Sequence, residues 1–408
     1  MARQLIGEGD VRRLPLAAFL VISLLVAMPA SVPAQGDFPL KSVDAQFGDP
    51  LLMMSQTTAQ RLPEQPKEIK ALPKDASGKL TFFRIPVGGK EVSAVIVPGK
   101  PSKLYIDSAG TGDLSAATPL SASGEGPQQQ FGPTVIASAG RQAPKLQFMA
   151  FGNGQLLMVL PAGYYAGEAT LGGQTYRVAT VASVRTGRYD VVVDPAQLRS
   201  GERDYSTLAI DLDRSGEFSR DVLGDGEIMP LGKFVKVKDV YYSVKVAADG
   251  SSVHFEKAEP KTGTLDAGTP DAELVVLGEA GFQNLSGAGG KWQLPVGKYT
   301  TLAVKLTKKD AAGTPWTIEA QSEVGKLGTF EIRPGETMAV KCGAPLVAHT
   351  EATKAGDNQM SIGLALTGQG GEQYSPAAVQ KGQPQTAPKL KILDEAGKVL
   401  ATGQFEFG

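Results

Sequence analysis

Short apolar runs separated by turn residues are the feature that most limits how this chain can fold. The runs are rich in Val, Ile, Thr and Tyr, and Gly (49 residues) and Pro (27 residues) recur between them; examples are KLTFFRIPV, EVSAVIVPG, QTYRVATVA, DVYYSVKVA and YTTLAVKLT. Runs of this kind are typical of strands in antiparallel sheets. We therefore predict an all-β chain of tandem antiparallel, Ig-like β-sandwich modules behind an N-terminal signal peptide.

The first 34 residues have the three parts of a secretory signal peptide. A start containing Arg12 and Arg13 precedes residues 16–28, which are apolar apart from one serine, and the segment ends on the small residue Ala34. The apolar run is shorter than the roughly 20 residues that a membrane-spanning helix needs. We predict cleavage before Gln35 and export to the periplasm or the extracellular space, with no stable membrane span. An uncleaved N-terminal anchor is the alternative.

Charge and cysteine content narrow the classes of partner and chemistry. The chain has a net charge of -1, and removing the leader's three Arg, one Asp and one Glu makes it -2. Such a balanced charge gives no reason to expect nucleic acid or an anionic membrane as partner. Cys342 is the only cysteine, so the chain forms no internal disulfide. We expect it to be a small buried hydrophobic residue; a reactive or intermolecular thiol is the alternative.

Composition along the chain predicts five segments. Residues 1–34 are the signal peptide, and residues 35–78, rich in Pro, Gln and Lys, are an irregular lead-in that is mobile or loosely docked. A β region covers residues 79–260, an Ig-like sandwich covers 272–345, and a small β module covers 346–408. The segment 259–273 contains Gly, Pro, Thr and Asp, which predicts a linker or a loop between modules.

The first β region contains one nine-residue pattern three times, each time after a strand. The copies are DSAGTGDLS from Asp107, ASVRTGRYD from Ala182 and DLDRSGEFS from Asp211. Each has Thr or Ser followed by Gly at the fifth and sixth positions, and an apolar or aromatic residue at the eighth. We predict one turn used three times, in which Gly supplies a positive φ and the eighth side chain returns to the core.

The third copy resembles the calcium loops of EF-hand and dockerin modules. In those loops oxygen ligands stand at alternate positions, Gly at position six makes the turn, and a bidentate acid at position twelve closes the shell. Here Val222 stands at the twelfth position, and Asp225 or Glu227 would close the shell only if the chain folds back. Two interpretations stay open, a structural turn or a calcium site. The candidate ligands are Asp211, Asp213, Ser215, Glu217, Ser219 and Asp221. No other cofactor is predicted.

Two further resemblances concern the whole chain and its C-terminal part. Strand-linked D-x-[DN]-x-[DS]-G loops with β-sandwich tails make most of the mature chain similar to exported proteins of planctomycete-like bacteria, a likeness that implies no particular activity. The segment GGKWQLPVGKYTTLAVKL, residues 289–306, resembles the LPxGxY turn of transthyretin-like and carboxypeptidase-regulatory-like Ig-like domains. That likeness implies that Trp292, Leu294 and Tyr299 face one core; an exposed, sugar-stacking Trp292 is the alternative.

Catalytic motifs are missing from the sequence. His254 and His349 are the only histidines, which excludes a multi-His metal site, and no G-x-S-x-G, H-E-x-x-H, P-loop or G-x-G-x-x-G pattern occurs. We predict a non-catalytic exported protein with a structural, adhesive or interaction role, whose partner is a protein or an envelope or extracellular polymer. A calcium-binding or calcium-stabilised binding module is one alternative. A carbohydrate-active or carbohydrate-binding protein is another, which an aromatic content of 7% disfavours.

Overall fold

The structure is a computed structural model that describes residues 36–406, apart from 125, 137–144, 153, 197–202, 220–225, 322–323, 357–358, 376–378, 381–382 and 385. The predicted signal peptide and Asp221 lie outside the described residues. Strands make up almost all of the regular structure, and they pair antiparallel with one exception. The predicted all-β class is confirmed.

The first eighteen strands run as follows: β1 Gly36–Pro39, β2 Lys41–Asp44, β3 Thr57–Thr58, β4 Gln60–Leu62, β5 Thr81–Val87, β6 Lys90–Val97, β7 Lys103–Ile106, β8 Leu120–Ser121, β9 Gln128–Val135, β10 Lys145–Phe151, β11 Leu156–Pro161, β12 Gly163–Leu171, β13 Gln174–Val181, β14 Thr207–Ile210, β15 Ile228–Pro230, β16 Phe234–Val237, β17 Val240–Val246 and β18 Ser252–Ala258. A short helix, α1, spans Pro50–Met54 between β2 and β3.

The remaining strands are β19 Thr262–Asp266, β20 Ala272–Gly278, β21 Gly281–Leu285, β22 Lys291–Pro295, β23 Gly297–Lys309, β24 Pro315–Ala320, β25 Thr329–Ile332, β26 Thr337–Ala339, β27 Val347–Gly356, β28 Gln359–Thr367, β29 Gln373–Tyr374, β30 Val379–Gln380, β31 Gln383–Pro384, β32 Lys389–Leu393 and β33 Val399–Gln404. Two 3₁₀ turns lie at Ala288–Gly290 and Gly325–Leu327. In the described part of the chain, no helix is long and apolar enough to cross a bilayer.

The first sandwich packs a sheet of order β4-β5-β6-β7-β8 against a sheet of order β3-β11-β10-β9. Side chains alternate along each strand, so one face of each sheet supplies the core. Phe83 and Ile85 on β5 meet Phe131 on β9 and Phe148 on β10, and all four are fully buried. The predicted strand pattern of residues 79–161 therefore forms the core of the first sandwich.

The second sandwich packs the sheet β15-β14-β13-β12-β2 against the sheet β1-β18-β17-β16. Tyr176 and Val178 on β13 face Tyr242 on β17 and Phe255 on β18. The opposite face of β13 is also covered, because Ala179 and Val181 pack with α1 and with the outer face of the first sandwich. The last four residues of β13, VATV, are therefore all buried, as is usual for a strand that is covered on both faces.

The third sandwich packs the small sheet β22-β19-β26 against a larger one of order β21-β20-β23-β24-β30-β31, with β25 also paired to β23. Its core includes Trp292, Leu294 and Tyr299, so their predicted alternation toward one core is confirmed. Trp292 is 7% exposed and its Nε1 donates to the Ser286 carbonyl at 3.1 Å. It therefore forms no exposed stacking surface.

The larger sheet of the third sandwich belongs to two cores at once. On β20, Leu274 and Val276 face the third core, whereas the neighbouring Val275 and Leu277 lie in the core of the second sandwich. Phe282 on β21 also packs into the second core. The second and third sandwiches therefore share a buried sheet and have no flexible linker between them.

Residues 36–62 have regular structure, although an irregular lead-in was expected there. The strands β1, β2, β3 and β4 pair with β18, β12, β11 and β5, and α1 buries Leu51 and Leu52. Asp49 caps α1 by accepting from the Leu51 N–H at 3.0 Å, and Pro50 occupies its first turn. These strands are only two to four residues long, so they show no clear strand pattern in the sequence. Three of them, β1, β2 and β3, pair with strands far along the chain.

The expected segment boundaries near residues 260 and 346 also differ from the structure. The strand β19 lies inside the expected 259–273 linker, and its Leu265 is fully buried in the third core. Beyond residue 346, Tyr374 on β29 packs into the same core, and β30 pairs with β24. Among the described residues of this part, β27, β32 and β33 are mostly exposed, and β28 is exposed mainly over its first half.

Candidate metal centre

In its first and third copies, the repeated nine-residue turn has the same hydrogen bonds from backbone N–H groups to an aspartate side chain. The Asp107 carboxylate accepts from the N–H groups of Thr111 at 3.0 Å and Gly112 at 2.8 Å. The Asp211 carboxylate accepts from Ser215 and Gly216, both at 2.9 Å. An aspartate at the first position therefore holds the turn closed by satisfying two amide groups.

The predicted backbone and core roles of this turn are confirmed in all three copies. The glycines at the sixth position have φ values of +78° at Gly112, +74° at Gly187 and +89° at Gly216. Residues other than glycine rarely adopt this left-handed region. The eighth-position residues are all buried: Leu114, Tyr189 and Phe218. The turn is thus a structural unit that each copy uses to return the chain to a core.

The third copy differs because it brings three carboxylates together. Carboxylate oxygens of Asp211, Asp213 and Glu227 all lie within 4.8 Å of one another. Asp211 and Glu227 are 3% and 2% exposed, while Asp213 is exposed. The chain does fold back here, because β15 pairs with β14 and the Ile210 N–H donates to the Glu227 carbonyl at 2.9 Å. This fold-back brings the Glu227 carboxylate close to those of Asp211 and Asp213.

Backbone amides already surround these carboxylates. Glu227 accepts through Oε1 from the N–H groups of Leu212 at 2.8 Å and Asp213 at 3.2 Å, and through Oε2 from Ser219 at 2.8 Å. A hydrogen bond from the Ser215 N–H lowers the pKa of Asp213 below its usual value. The ion pairs found among the described residues include no Lys or Arg partner for the three acids. Amide dipoles stabilise this concentration of negative charge.

The remaining predicted ligands have separate positions. The Ser215 hydroxyl donates to the Glu217 carbonyl at 3.1 Å, and Ser219 contributes its backbone N–H to Glu227. Glu217 is one of the residues that line a neighbouring cavity. Asp221 lies outside the described residues. The structure therefore brings together two of the six predicted residues through their carboxylates, and adds Glu227.

The three carboxylates are oxygen donors of the kind that a hard cation prefers, but they are fewer than such a cation usually takes. Calcium takes six to eight oxygens, and the cluster offers three carboxylates. Oxygens of Asp211 and Glu227 that also accept amide N–H groups have fewer lone pairs left for a metal. The three carboxylates are thus a group that could hold a metal ion, and two of them also close a structural turn.

The first copy provides an internal comparison, since it has the turn without the cluster. Asp113 accepts from the backbone and hydroxyl of Ser115 at 2.9 Å and 2.6 Å, so its carboxylate is engaged locally. The Gly112 carbonyl accepts from the Lys70 N–H at 2.8 Å. This copy therefore packs on the chain segment before β5, and no group of three acids is found at it among the described residues.

Comparison with known proteins identifies no matching family model, no matching curated protein and no matching solved structure.

Proposed function

We propose that the chain is a non-catalytic exported β protein with a structural or interaction role in the cell envelope or outside the cell, where it binds a protein or a polymer. The observation that carries this proposal is the sheet shared by the second and third sandwiches. Val275 and Leu277 pack into one core while Leu274 and Val276 pack into the next. Modules fused in this way keep surfaces at fixed spacing, which suits a scaffold.

Limited proteolysis of the purified mature chain tests the scaffold role. If the sandwiches are fused, native protein resists cleavage within residues 259–273, because β19 is buried there. Rapid cleavage of the native protein in that segment would instead show that a flexible linker joins independent modules. A substrate turned over by the mature chain, with activity lost on replacing one acid, would contradict the non-catalytic part. Mass spectrometry of the exported chain is expected to show an N-terminus at Gln35.

Calcium stabilisation is the second candidate function, and the position of Glu227 favours it. The fold carries this buried carboxylate to within 4.8 Å of Asp211 and Asp213, although the sequence separates them. A cation bound there would link the turn to β15. The expected affinity is weak, about 10⁻⁴ to 10⁻³ M, as in extracellular calcium modules.

A calorimetric calcium titration, with melting in calcium and in chelator, tests this second function. Asp213→Asn is the informative variant because its side chain is exposed and its substitution leaves the core unchanged. We expect it to abolish the calcium-dependent rise in melting temperature, whereas Asp113→Asn in the first copy leaves that rise intact. Absence of both heat and a melting shift in the unmodified protein excludes calcium binding.

A further inference from the structure

A cavity of about 440 Å³ lies beside the third turn, and it is distinct from the carboxylate cluster. Its walls are the loop from Asp44 to Leu51, Tyr164 on β12, Arg177 on β13, and Glu217 with Phe218 from the turn. Cavities that bind small molecules usually measure about 300–1,000 Å³. Four separate chain segments thus converge on a space large enough for a small ligand.

Arg177 is the cationic group in this wall. Its side chain is half-buried, one guanidinium nitrogen donates to the Gly216 carbonyl at 2.6 Å, and the guanidinium carbon lies 4.8 Å from the centre of the Phe218 ring. No ion pair found among the described residues includes Arg177. A guanidinium has five N–H donors in a fork that matches a carboxylate. The Phe218 ring, the Gly216 carbonyl and a hydrogen bond with Tyr164 hold this fork in place, and the remaining N–H groups are left for a ligand.

The other charged residues of the wall are acidic, and Gln46 and Tyr164 are its neutral polar residues. Asp49 caps α1 and its charge raises the pKa of Tyr164, after the larger effect of burial, whereas Arg177 lowers it. Asp44 is paired with Lys145 at 2.8 Å on the exposed side. Glu217 is exposed. A ligand with only negative charge would be repelled by Asp49 and Glu217, and one with only positive charge would be repelled by Arg177.

We propose that this cavity binds a small zwitterion of the amino-acid or short-peptide class, with its carboxylate on Arg177 and its ammonium group on Asp49 and Glu217. This pairing satisfies both signs of charge in the wall, and the volume leaves room for a side chain or a second residue. The site goes beyond the scaffold role. Loss of ligand binding would leave the resistance of residues 259–273 to proteolysis unchanged, so the two proposals fail separately.

Calorimetric titration of the mature chain with three probes tests the proposal. Alanyl-alanine carries both charges, its N-acetyl form keeps only the carboxylate, and its C-terminal amide keeps only the ammonium group. We expect alanyl-alanine to bind at least tenfold more tightly than either blocked form. Equal binding of all three, tighter binding of the amide, or no binding of alanyl-alanine at millimolar concentration would overturn the proposal.

Two variants assign the two charges. Arg177→Lys keeps the positive charge but removes the fork, and we expect at least tenfold weaker binding of alanyl-alanine, whereas Arg333→Lys on the exposed strand end after β25 has no effect. Asp49→Asn preserves the α1 cap, because asparagine caps helices as well as aspartate does, but removes the charge facing the ammonium group. We expect this variant to bind alanyl-alanine more weakly and to bind the N-acetyl form as the unmodified protein does. Unchanged binding in Asp49→Asn would contradict the assignment even if Arg177→Lys failed to fold.

Discussion

Cys342 shows how a single side chain with reactive chemistry becomes inert through its surroundings. Its sulfur is buried and lies 3.6 Å from the Ala267 carbonyl, and the side chain packs in the third core. Burial, and then the negative charge of Glu372, raise the pKa of the thiol to about 12. The thiolate is the reactive form of cysteine. The expectation of a buried hydrophobic residue is confirmed by its burial.

The first prediction concerns the accessibility of this thiol. At pH 8 the thiol is protonated and shielded, so we expect the folded chain to incorporate no iodoacetamide over an hour. The same chain in urea should incorporate one equivalent, because unfolding restores an ordinary thiol pKa. Mass spectrometry measures both, and stoichiometric labelling of the folded chain would contradict the prediction. A control at pH 7 should give the same contrast at a lower rate in urea.

Among the elements, the repeated turn separates two effects of replacing a glycine. Gly112 and Gly216 both have positive φ, but a methyl group on Gly112 would overlap the Glu68 carbonyl oxygen, whereas one on Gly216 meets no atom within 4 Å. Adopting the left-handed conformation costs an alanine about 1–2 kcal/mol. The first copy carries the additional steric overlap and the third does not.

We therefore predict that Gly216→Ala lowers the free energy of unfolding by about 1–2 kcal/mol and Gly112→Ala lowers it by clearly more. Urea unfolding of both variants, followed by circular dichroism, measures the difference. Gly89→Ala is a third comparison, because Gly89 also has a positive φ and open space. Equal losses for Gly112 and Gly216 would show that the segment bearing Glu68 yields without strain.

Sequence predicted these turns well, and the candidate sites less well, for an identifiable reason. Strand alternation and the Thr/Ser-Gly pair are local patterns, so β-class, turn and buried eighth residue follow from neighbouring residues. Glu227 joins Asp211 only because β15 pairs with β14, and no local signal encodes that pairing. One sequence feature does point to the cavity. Arg177 is the one charged residue of β13, and it lies on the same face of the strand as the buried Ala179 and Val181. A site whose residues come from strands that are distant in the sequence can be identified only once the strand pairing is known.

Over the whole molecule, cohesion comes from residues that one sandwich contributes to the core of another. Phe282 belongs to a sheet of the third sandwich but is buried in the core of the second. Truncating a buried phenylalanine to alanine costs about 3–5 kcal/mol. Because both sandwiches share that sheet, we expect this loss of stability to affect both the second and the third sandwich.

We predict that Phe282→Ala raises native-state hydrogen exchange in β17 of the second sandwich and in β19 of the third. The matched control, Phe131→Ala in the first sandwich, should raise exchange in β5 and β10 and leave β19 unchanged, since Phe131 packs only in the first core. Mass spectrometry of exchanged peptides reads both patterns. An increase limited to β17 in Phe282→Ala would show that the sandwiches unfold independently.

The pairing of β1 with β18 has a consequence for biogenesis. Synthesis from the N-terminus makes Gly36–Pro39 early, but its partner strand, Ser252–Ala258, follows only after the first sandwich and most of the second. Pairing between such distant segments is intrinsically slow. β1 therefore cannot take its place in the sheet until almost all of the second sandwich has been made.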